Sequence, residues 1–467
     1  MINQRQRGFL LILVIVFGAV FFLIISSFVT YIVSQYQLQV LHEEEQRARN
    51  IAEGGLNYYR WYLAHYPNDV TNGTMTPGPY VHPYSDPEGG VIGEFSLEIA
   101  SSSACGAVQA IDILSTGYTT TSPSVQRTLY GRYAQPTVTE YAYIINSNVW
   151  VGGDHDILGP YHSNGIIRMD GTNNSTVTSG QETWVCDGSI SCAPASNGST
   201  VNAVYGDGPN SSLWTYPSPP INFLSLTVDL ANMKTRAQNN GGVYLGPSAD
   251  QGYLIEFRND GRFDVYIVDR TWSHTEYSTE SGSYTAYNLI READFLATYT
   301  IPSACSLIFV EDKVWLRGVV DGKVTLAAAD TDTVGVDPSI ILHGNITYDT
   351  ATSGLLAIAE EDVLVGYDVP NDMTLNGIFI AQNGKFGRNH YTASVNGGDR
   401  YRDSLTINGT IVSNGRVGTK WTSGATWTSG FDERYTSYDR NLVAEPPPLT
   451  PEVSDIYEFI EWREMDD

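Results

Sequence analysis

The stretch RQRGFLLILVIVFGAVFFLIISSFVTYIVSQYQLQVL, residues 5–41, decides how the rest of the chain is read. Arg5 and Arg7 precede an apolar run from Phe9 to Val33, and no charged residue lies between Gly8 and Leu41. At ~1.5 Å of rise per residue, a helix over Phe9–Val33 is long enough to cross a hydrocarbon core of about 30 Å. Glu43, Glu44 and Glu45 stand on its far side. Basic residues before the span and acidic ones after it predict a cytoplasmic N-terminus with everything beyond the span outside, a single-pass topology. A cleaved secretory signal would need a shorter apolar core and a small-x-small site. Here the run continues through Phe28, Val29, Tyr31, Ile32 and Val33 without one.

Beyond the span the helical pattern continues without proline from Ser34 to His65. Leu38, Leu41, Ala48, Ile51, Ala52, Leu56, Tyr59 and Leu63 recur at three- and four-residue steps with Glu, Gln and Arg between them. The expectation is one helix over 9–65, its first half in lipid and its second half against a globular domain, ended by Pro67 and Asn68-Asp69. Gly93–Ala100, Val108–Ser115 and Val125–Tyr133 then alternate in the period of strands, separated by Ser, Gly, Thr and Pro clusters, and predict an antiparallel meander.

These residues carry a family resemblance. Arg7-Gly8-Phe9 at the head of a long apolar helix is similar to the prepilin-peptidase site of type IV pilins. The segment Ala48-Arg49-Asn50-Ile51-Ala52-Glu53-Gly54-Gly55-Leu56 resembles the AEAGL stretch of PilX-like and K-type minor pilins, and Ile113-Leu114-Ser115-Thr116-Gly117 resembles a strand end common among them. The resemblance implies a leader over residues 1–8, cleavage between Gly8 and Phe9, and methylation of the new N-terminus. Its implied partners are the inner membrane, the prepilin peptidase and other pilin subunits. Major pilins carry a glutamate at the fifth mature position, which here is Leu13. Its absence is usual among K-type tip subunits and some PilX-like proteins.

From about residue 140 a local theme repeats. Gly159-Pro160-Tyr161-His162-Ser163-Asn164-Gly165 is echoed by Gly377–Gly384 and by Gly409–Gly415, each a short strand ending in Asn-Gly. Asn-Gly serves equally as a type I′ hairpin turn or as a corner in a β-solenoid. Short strands and recurrence about 32 residues apart favour a solenoid, with a β-sandwich as the alternative. The fold class is therefore mainly β with one long N-terminal helix. The expected domains are a pilin-like sheet over 66–138 and a solenoid-like passenger over 139–440. An irregular insertion at about 195–300 would include a helix in Leu224–Gln238 and a hairpin around Asp260-Gly261. A Pro-rich strut with a C-terminal helix at Ile456–Arg463 would occupy 441–467.

The formal net charge of −26 excludes nucleic acid as the expected partner, since phosphate binding needs a basic surface. Four cysteines in no CxxC spacing argue against structural zinc. Cys186 and Cys192 bracket a short polar loop suited to a disulfide in an exported chain; Cys105 and Cys305 are what remains, their pairing open, and four buried free thiols are the alternative for a chain that stays in the cytoplasm. Gly153-Asp154-His155-Asp156 has the residue types of an acid/base or metal cluster but reads as a solvated turn. Asp321, Asp330, Asp332 and Asp337 suit calcium without a calcium-loop spacing, so no cofactor is expected beyond that acidic rim. His162, His343 and His390 lack a nucleophile motif. Trp421 and Trp427, in a Thr/Ser/Gly loop, form the candidate ligand surface, for carbohydrate or for a host or neighbouring-cell protein. The function expected is a non-enzymatic, structural or adhesive minor pilin at the cell surface. The competing readings are an envelope-tethered carbohydrate-active enzyme and a surface protein outside any filament. Non-reducing peptide mapping of exported protein should recover Cys186 joined to Cys192; two free thiols there would contradict it.

Overall fold

A computed structural model describes residues 4–66, 69–193, 195–223, 229–332, 335–392, 399–424, 426–454 and 456–465, with side chains from Phe9 onward. The expected stop at Pro67 and Asn68 lies outside the described residues. The chain divides into two compact units, one of Met1–Ser101, Ile111–Tyr133 and Glu461–Asp467, the other of Ser102–Ala110 and Ala134–Ile460. It is mainly β with one long N-terminal helix.

In the first unit, helix α1 (Gln4–His65) is unbroken. Its C-terminal half lies on a sheet ordered β1 (Tyr80–Ser85), β2 (Val91–Ala104), β3 (Ala107–Thr119), β4 (Gln126–Ala134) and the strand Glu458–Glu464. Ala48, Ile51, Ala52, Leu56, Tyr59 and Leu63 are all buried, as are Phe95, Leu97, Ile111, Ile113, Leu129 and Tyr133 of the sheet. Glycines set how closely helix and sheet approach. A Cβ on Gly55 would lie 2.3 Å from Ser115 Oγ and 2.8 Å from Phe95 Cδ2, and one on Gly117 would lie 2.3 Å from the Ala48 carbonyl oxygen. The Gly-Gly of the AEGGL segment is thus a packing surface. Tyr133 Oη donates to the Leu56 carbonyl at 2.8 Å, tying β4 to the same turn of the helix.

Two expectations are corrected here. Leu38 and Leu41 do not join the buried face; they are 56% and 45% exposed, and burial begins only at Glu44. There Thr119 and Thr121 hydroxyls donate to the Glu44 carboxylate, the last rung at which β3 reaches the helix. The C-terminal segment Ile456–Arg463, expected as a helix, contributes instead to the strand Glu458–Glu464. An unpaired edge of β4 offers backbone partners that an isolated two-turn helix lacks; Met465 N donates to Thr128 O at 3.0 Å. Arg49 then sits 5.6 Å over the Trp462 ring and Arg463 4.9 Å over Tyr130.

The second unit is a stack of parallel strands. On one face Val243–Leu245, Leu307–Val310, Lys323–Ala328, Gly354–Ala359, Asp372–Ala381 and Tyr401–Ser413 pair in that order. The ladder continues through Tyr143–Ile145, Tyr161–Ser163 and Val177–Ser179. The segment first in sequence therefore stacks on the coil that comes last. Pairing in this ladder is parallel, so two face-packed antiparallel sheets do not describe it. Successive residues of each strand are buried on opposite sides, which explains runs such as Gly354–Ala359 that are apolar throughout. Ala357, Phe379, Ile411 and Tyr143 face one cluster; Ile358, Ile380, Val412 and Ile144 face another, with Leu230, Met233 and Ala237 of the helix Leu230–Asn239.

The Asn-Gly repeats fall at corners, in register. Asn164 Nδ2 donates to Asn146 Oδ1 (2.8 Å), Asn146 Nδ2 to Asn414 Oδ1 (2.9 Å) and Asn414 Nδ2 to the Asn383 carbonyl (3.0 Å). Gly377 pairs with Gly409, and their φ angles of 153° and 145° suit residues without a Cβ. The region about 195–300 is not simply an insertion. Val243–Leu245 and Tyr253–Arg258 belong to the parallel stack, and Tyr253–Arg258 also forms the expected hairpin with the strand beginning at Arg262. That strand runs on as Arg262–Ser278, paired antiparallel with Gly282–Thr300. Of the helix expected in Leu224–Gln238, the residues 224–228 lie outside the described ones.

Cys186 and Cys192 are joined, with Cα atoms 5.8 Å apart, and Cys105 is joined to Cys305. The Pro446-Pro447-Pro448 segment is docked rather than free: Pro447 and Leu442 close over Gly354, and Lys323 pairs with Glu445 at 2.6 Å. A Cβ on Gly409 would fall 1.8 Å from the Gly377 carbonyl oxygen. Gly409→Ala should therefore cost the second unit about 3 kcal/mol, read as a lowered Tm, while Gly246→Ala stays within about 0.5 kcal/mol. Equal melting of the two variants would contradict the register.

Candidate binding cleft

Where the coil stack meets the hairpin Lys420–Ser423/Thr426–Ser437, the second unit opens into a cleft of about 570 Å³. The hairpin carries both predicted tryptophans. A register shift between Trp421 and Thr422 marks a bulge, and Gly424 turns with φ 57°. Trp421 Nε1 donates to the Arg388 carbonyl (2.7 Å), and its ring meets Tyr277 edge-on at 5.6 Å. Trp427 Nε1 donates to Ser429 O (3.0 Å), with Tyr401 edge-on at 4.8 Å. Both indole N–H groups are satisfied, so the half-buried rings are held in place with part of their apolar surface left in the cleft. Trp150, on the strand Val149–Val151, adds a third ring to the lining.

The lining is cationic: Lys385, Arg388, Arg416, Lys420 and Arg434 against the carboxylates of Asp154 and Asp432. Lys420 donates to Asp432 at 2.6 Å and also to Asp154, which Arg434 shares. Burial would raise the Asp154 pKa, but Arg434 and Lys420 outweigh it and hold the carboxyl below its usual range. Lys385 pairs with Glu280 at 2.8 Å. Arg388 and Arg416 are bonded to carbonyls: Arg388 donates to Gly366 O and Tyr367 O (3.1 Å), Arg416 to Ser189 O (3.1 Å). Arg388 is fully buried between the rings of Tyr391 and Phe431, and burial brings its pKa down to about 10, so it remains a cation at neutral pH. Among the described residues, the Nε atoms of Arg388 and Arg434 have no hydrogen-bond partner.

The Gly153–Asp156 turn splits by strand alternation. Asp154 joins the cleft, Asp156 points to solvent, and His155 is buried against Tyr143 and Thr436. Burial, aided by Arg434, lowers the His155 pKa to about 3. The acidic rim does not converge: Asp332 pairs with Lys234 (2.6 Å) and Asp337 with Lys313 (2.7 Å), and the described residues contain no group of three or more metal-ligating side chains. His162 is hydrogen-bonded to Thr178 and Asn164, burial brings the His343 pKa down to about 4, and the His390 ring lies tilted against Trp421 at 5.4 Å. Sequence reasoning missed a buried network in which His274, Tyr284 and Asn389 meet the Glu276 carboxylate at 2.7–3.1 Å. His274 and Glu276 are sealed from solvent, at 1% and 0% side-chain exposure, and so present nothing to a ligand. It also missed the cations, although Lys385 and Arg416 each directly follow an Asn-Gly corner. Stacking of those corners is the signal that would have found them.

The sequence matches no protein-family model and no curated protein. Among solved structures it is similar to the competence-associated pilin ComZ from Thermus thermophilus, at 13% identity and a TM-score of 0.27 over 90% of this chain and 97% of that one. A likeness at that level carries no argument for this chain.

His155 yields a pH prediction. Its folded pKa lies below the unfolded value of 6.5, so the unfolded chain binds the proton more readily. The stability it confers is complete above pH 6.5 and is lost as pH falls toward 3, at up to about 1.4 kcal/mol per pH unit. His155→Gln should flatten the acid limb of stability by that slope in denaturant titrations at stepped pH. An unchanged slope would show that His155 is protonated in the fold.

Proposed function

We propose that this chain is a minor pilin-like component of a type IV pilus or a related envelope filament, carrying a β-helical passenger outside the cell. The observation that carries the reading is the length of uncovered apolar helix. Large side chains from Phe9 to Leu41 are exposed, and that run rises through roughly 50 Å at ~1.5 Å per residue. A bilayer core takes about 30 Å of it. The remainder, with Tyr36, Leu38, Val40 and Leu41, calls for lateral protein partners, as in a filament of packed N-terminal helices. A helix of this length and apolarity is also sufficient to cross a membrane before assembly. The Gly54-Gly55 contact with Ser115 and Phe95 gives the pilin-like AEGGL segment a physical role, which supports the PilX-like, K-type assignment.

In this reading the peptidase cuts between Gly8 and Phe9, the N-terminus faces the cytoplasm, and the second unit is displayed for adhesion through the Trp421–Trp427 cleft. The passenger is non-catalytic; Asp154 and Asp432, the cleft's carboxylates, are occupied by Lys420 and Arg434. Leu13 favours a tip position. A buried N-terminal amine with no carboxylate to meet it costs several kcal/mol inside an apolar bundle, and a subunit at the end of the filament avoids part of that cost. Mass spectrometry of protein extracted from cells should find an N-terminal peptide beginning at methylated Phe9. An N-terminus at Met1 would remove the pilin assignment and leave a tethered surface protein.

A further inference from the structure

We infer that the cleft binds a short acidic oligosaccharide, a chain of carboxylated sugar units such as a hexuronate. The inference rests on the proposal that this face is displayed for contact, and it supplies the chemistry of what is contacted.

Charge comes first. The chain carries −26 overall, yet among the described residues five cations line this one concavity against Asp154, Asp432 and the Glu280 that pairs with Lys385, which leaves Arg388 and Arg416 without a carboxylate partner. Concentrating the scarce basic residues in one place marks it for an anion. Two of the cations, Arg388 and Arg416, bond to carbonyl oxygens, and among the described residues the Nε–H groups of Arg388 and Arg434 meet no acceptor. Arg388 is 1% exposed, so it adds positive charge from beneath the lining, and the half-buried Arg416 is the guanidinium placed to meet a ligand carboxylate directly. Guanidinium donors are matched to carboxylate acceptors in geometry as well as in sign.

The rest of the lining narrows the class of anion. Held indole rings offer flat apolar surface, which suits the C–H face of a pyranose. Asp154 and Asp432, held in place by Lys420 and Arg434, keep further carboxylate lone pairs that suit hydroxyl donors and repel an unbroken run of phosphates. A ligand carrying a carboxylate, several hydroxyls and an apolar face satisfies all three features. The volume of about 570 Å³ falls within the ~300–1,000 Å³ of small-ligand clefts. A long polyanion would leave the cleft onto a surface of its own sign, so a nucleic acid strand fits less well.

The test is calorimetric titration of the full chain in a zwitterionic detergent with trigalacturonate, its neutral methyl ester and an oligothymidylate. Trigalacturonate should bind, with affinity falling as salt rises, and the ester should bind about tenfold more weakly or not at all. Arg416→Gln and Trp427→Ala should each weaken the uronate about tenfold. Among the described residues Arg416 bonds through its side chain to Ser189 O, so its variant is expected to fold, and circular dichroism checks this directly. Equal binding of acid and ester would overturn the charge reading. Tighter binding of the oligothymidylate would make the cleft a nucleic acid site, and no heat with any probe would remove the inference. These outcomes are independent of where the chain begins after processing, so a failure here leaves the filament proposal standing and the reverse also holds.

Discussion

Everything in the first unit depends on how closely α1 can lie against its sheet. Gly55 and Gly117 leave no room for a Cβ between helix and strands, and Gly93 brings the strand against Ile51 Cδ1 in the same way. Close approach lets Ala48 and Ala52, small as they are, become fully buried, and it sets Tyr133 within reach of the Leu56 carbonyl. Where the sheet ends, at Thr119 and Thr121, the helix loses its cover. That geometric limit, rather than any change in the helix itself, leaves the apolar side chains from Phe9 to Leu41 bare. The functional reading of the chain begins from that uncovered length.

The second unit solves a different problem. A parallel stack has to satisfy each strand's backbone on both sides and bury both of its faces. Coils supply the first, and the helix Leu230–Asn239 with the docked segment at Leu442 contributes to the second. The corners are positions where the chain turns out of the strand path, and their asparagines are exposed or half-buried. The asparagine ladder through Asn164, Asn146, Asn414 and Asn383 satisfies them rung by rung. Because residues that follow each corner are also brought into line, Lys385 and Arg416 arrive in one cleft from positions far apart in sequence. Accumulating cations is thus a by-product of stacking that a β-hairpin reading of Asn-Gly would not provide.

The long helix was legible because its signal is compositional and continuous, and the meander because three segments alternate cleanly. The recurrence at Gly377 and Gly409 disclosed a stack, since a spacing of one coil appears directly as sequence distance. Other features were hidden for identifiable reasons. Leu38 and Leu41 share the helical period of the buried face, and only the length of β3 decides that they stay bare. Glu458–Glu464 is too short for periodicity to separate helix from strand, and its conformation is set by the open edge of β4. The stacking of Tyr143–Ile145 on Tyr401–Ser413 joins segments more than 250 residues apart, and nothing local encodes it. Within the cleft, Trp421 and Trp427 stood out by residue type, whereas Arg388 and Arg434 resembled ordinary surface cations until burial distinguished them.

Immunogold electron microscopy of sheared surface filaments, with antibody against the second unit, tests the central claim most directly. The account predicts sparse label on filaments, concentrated at their ends. Label confined to the cell envelope, with filaments bare, would contradict it.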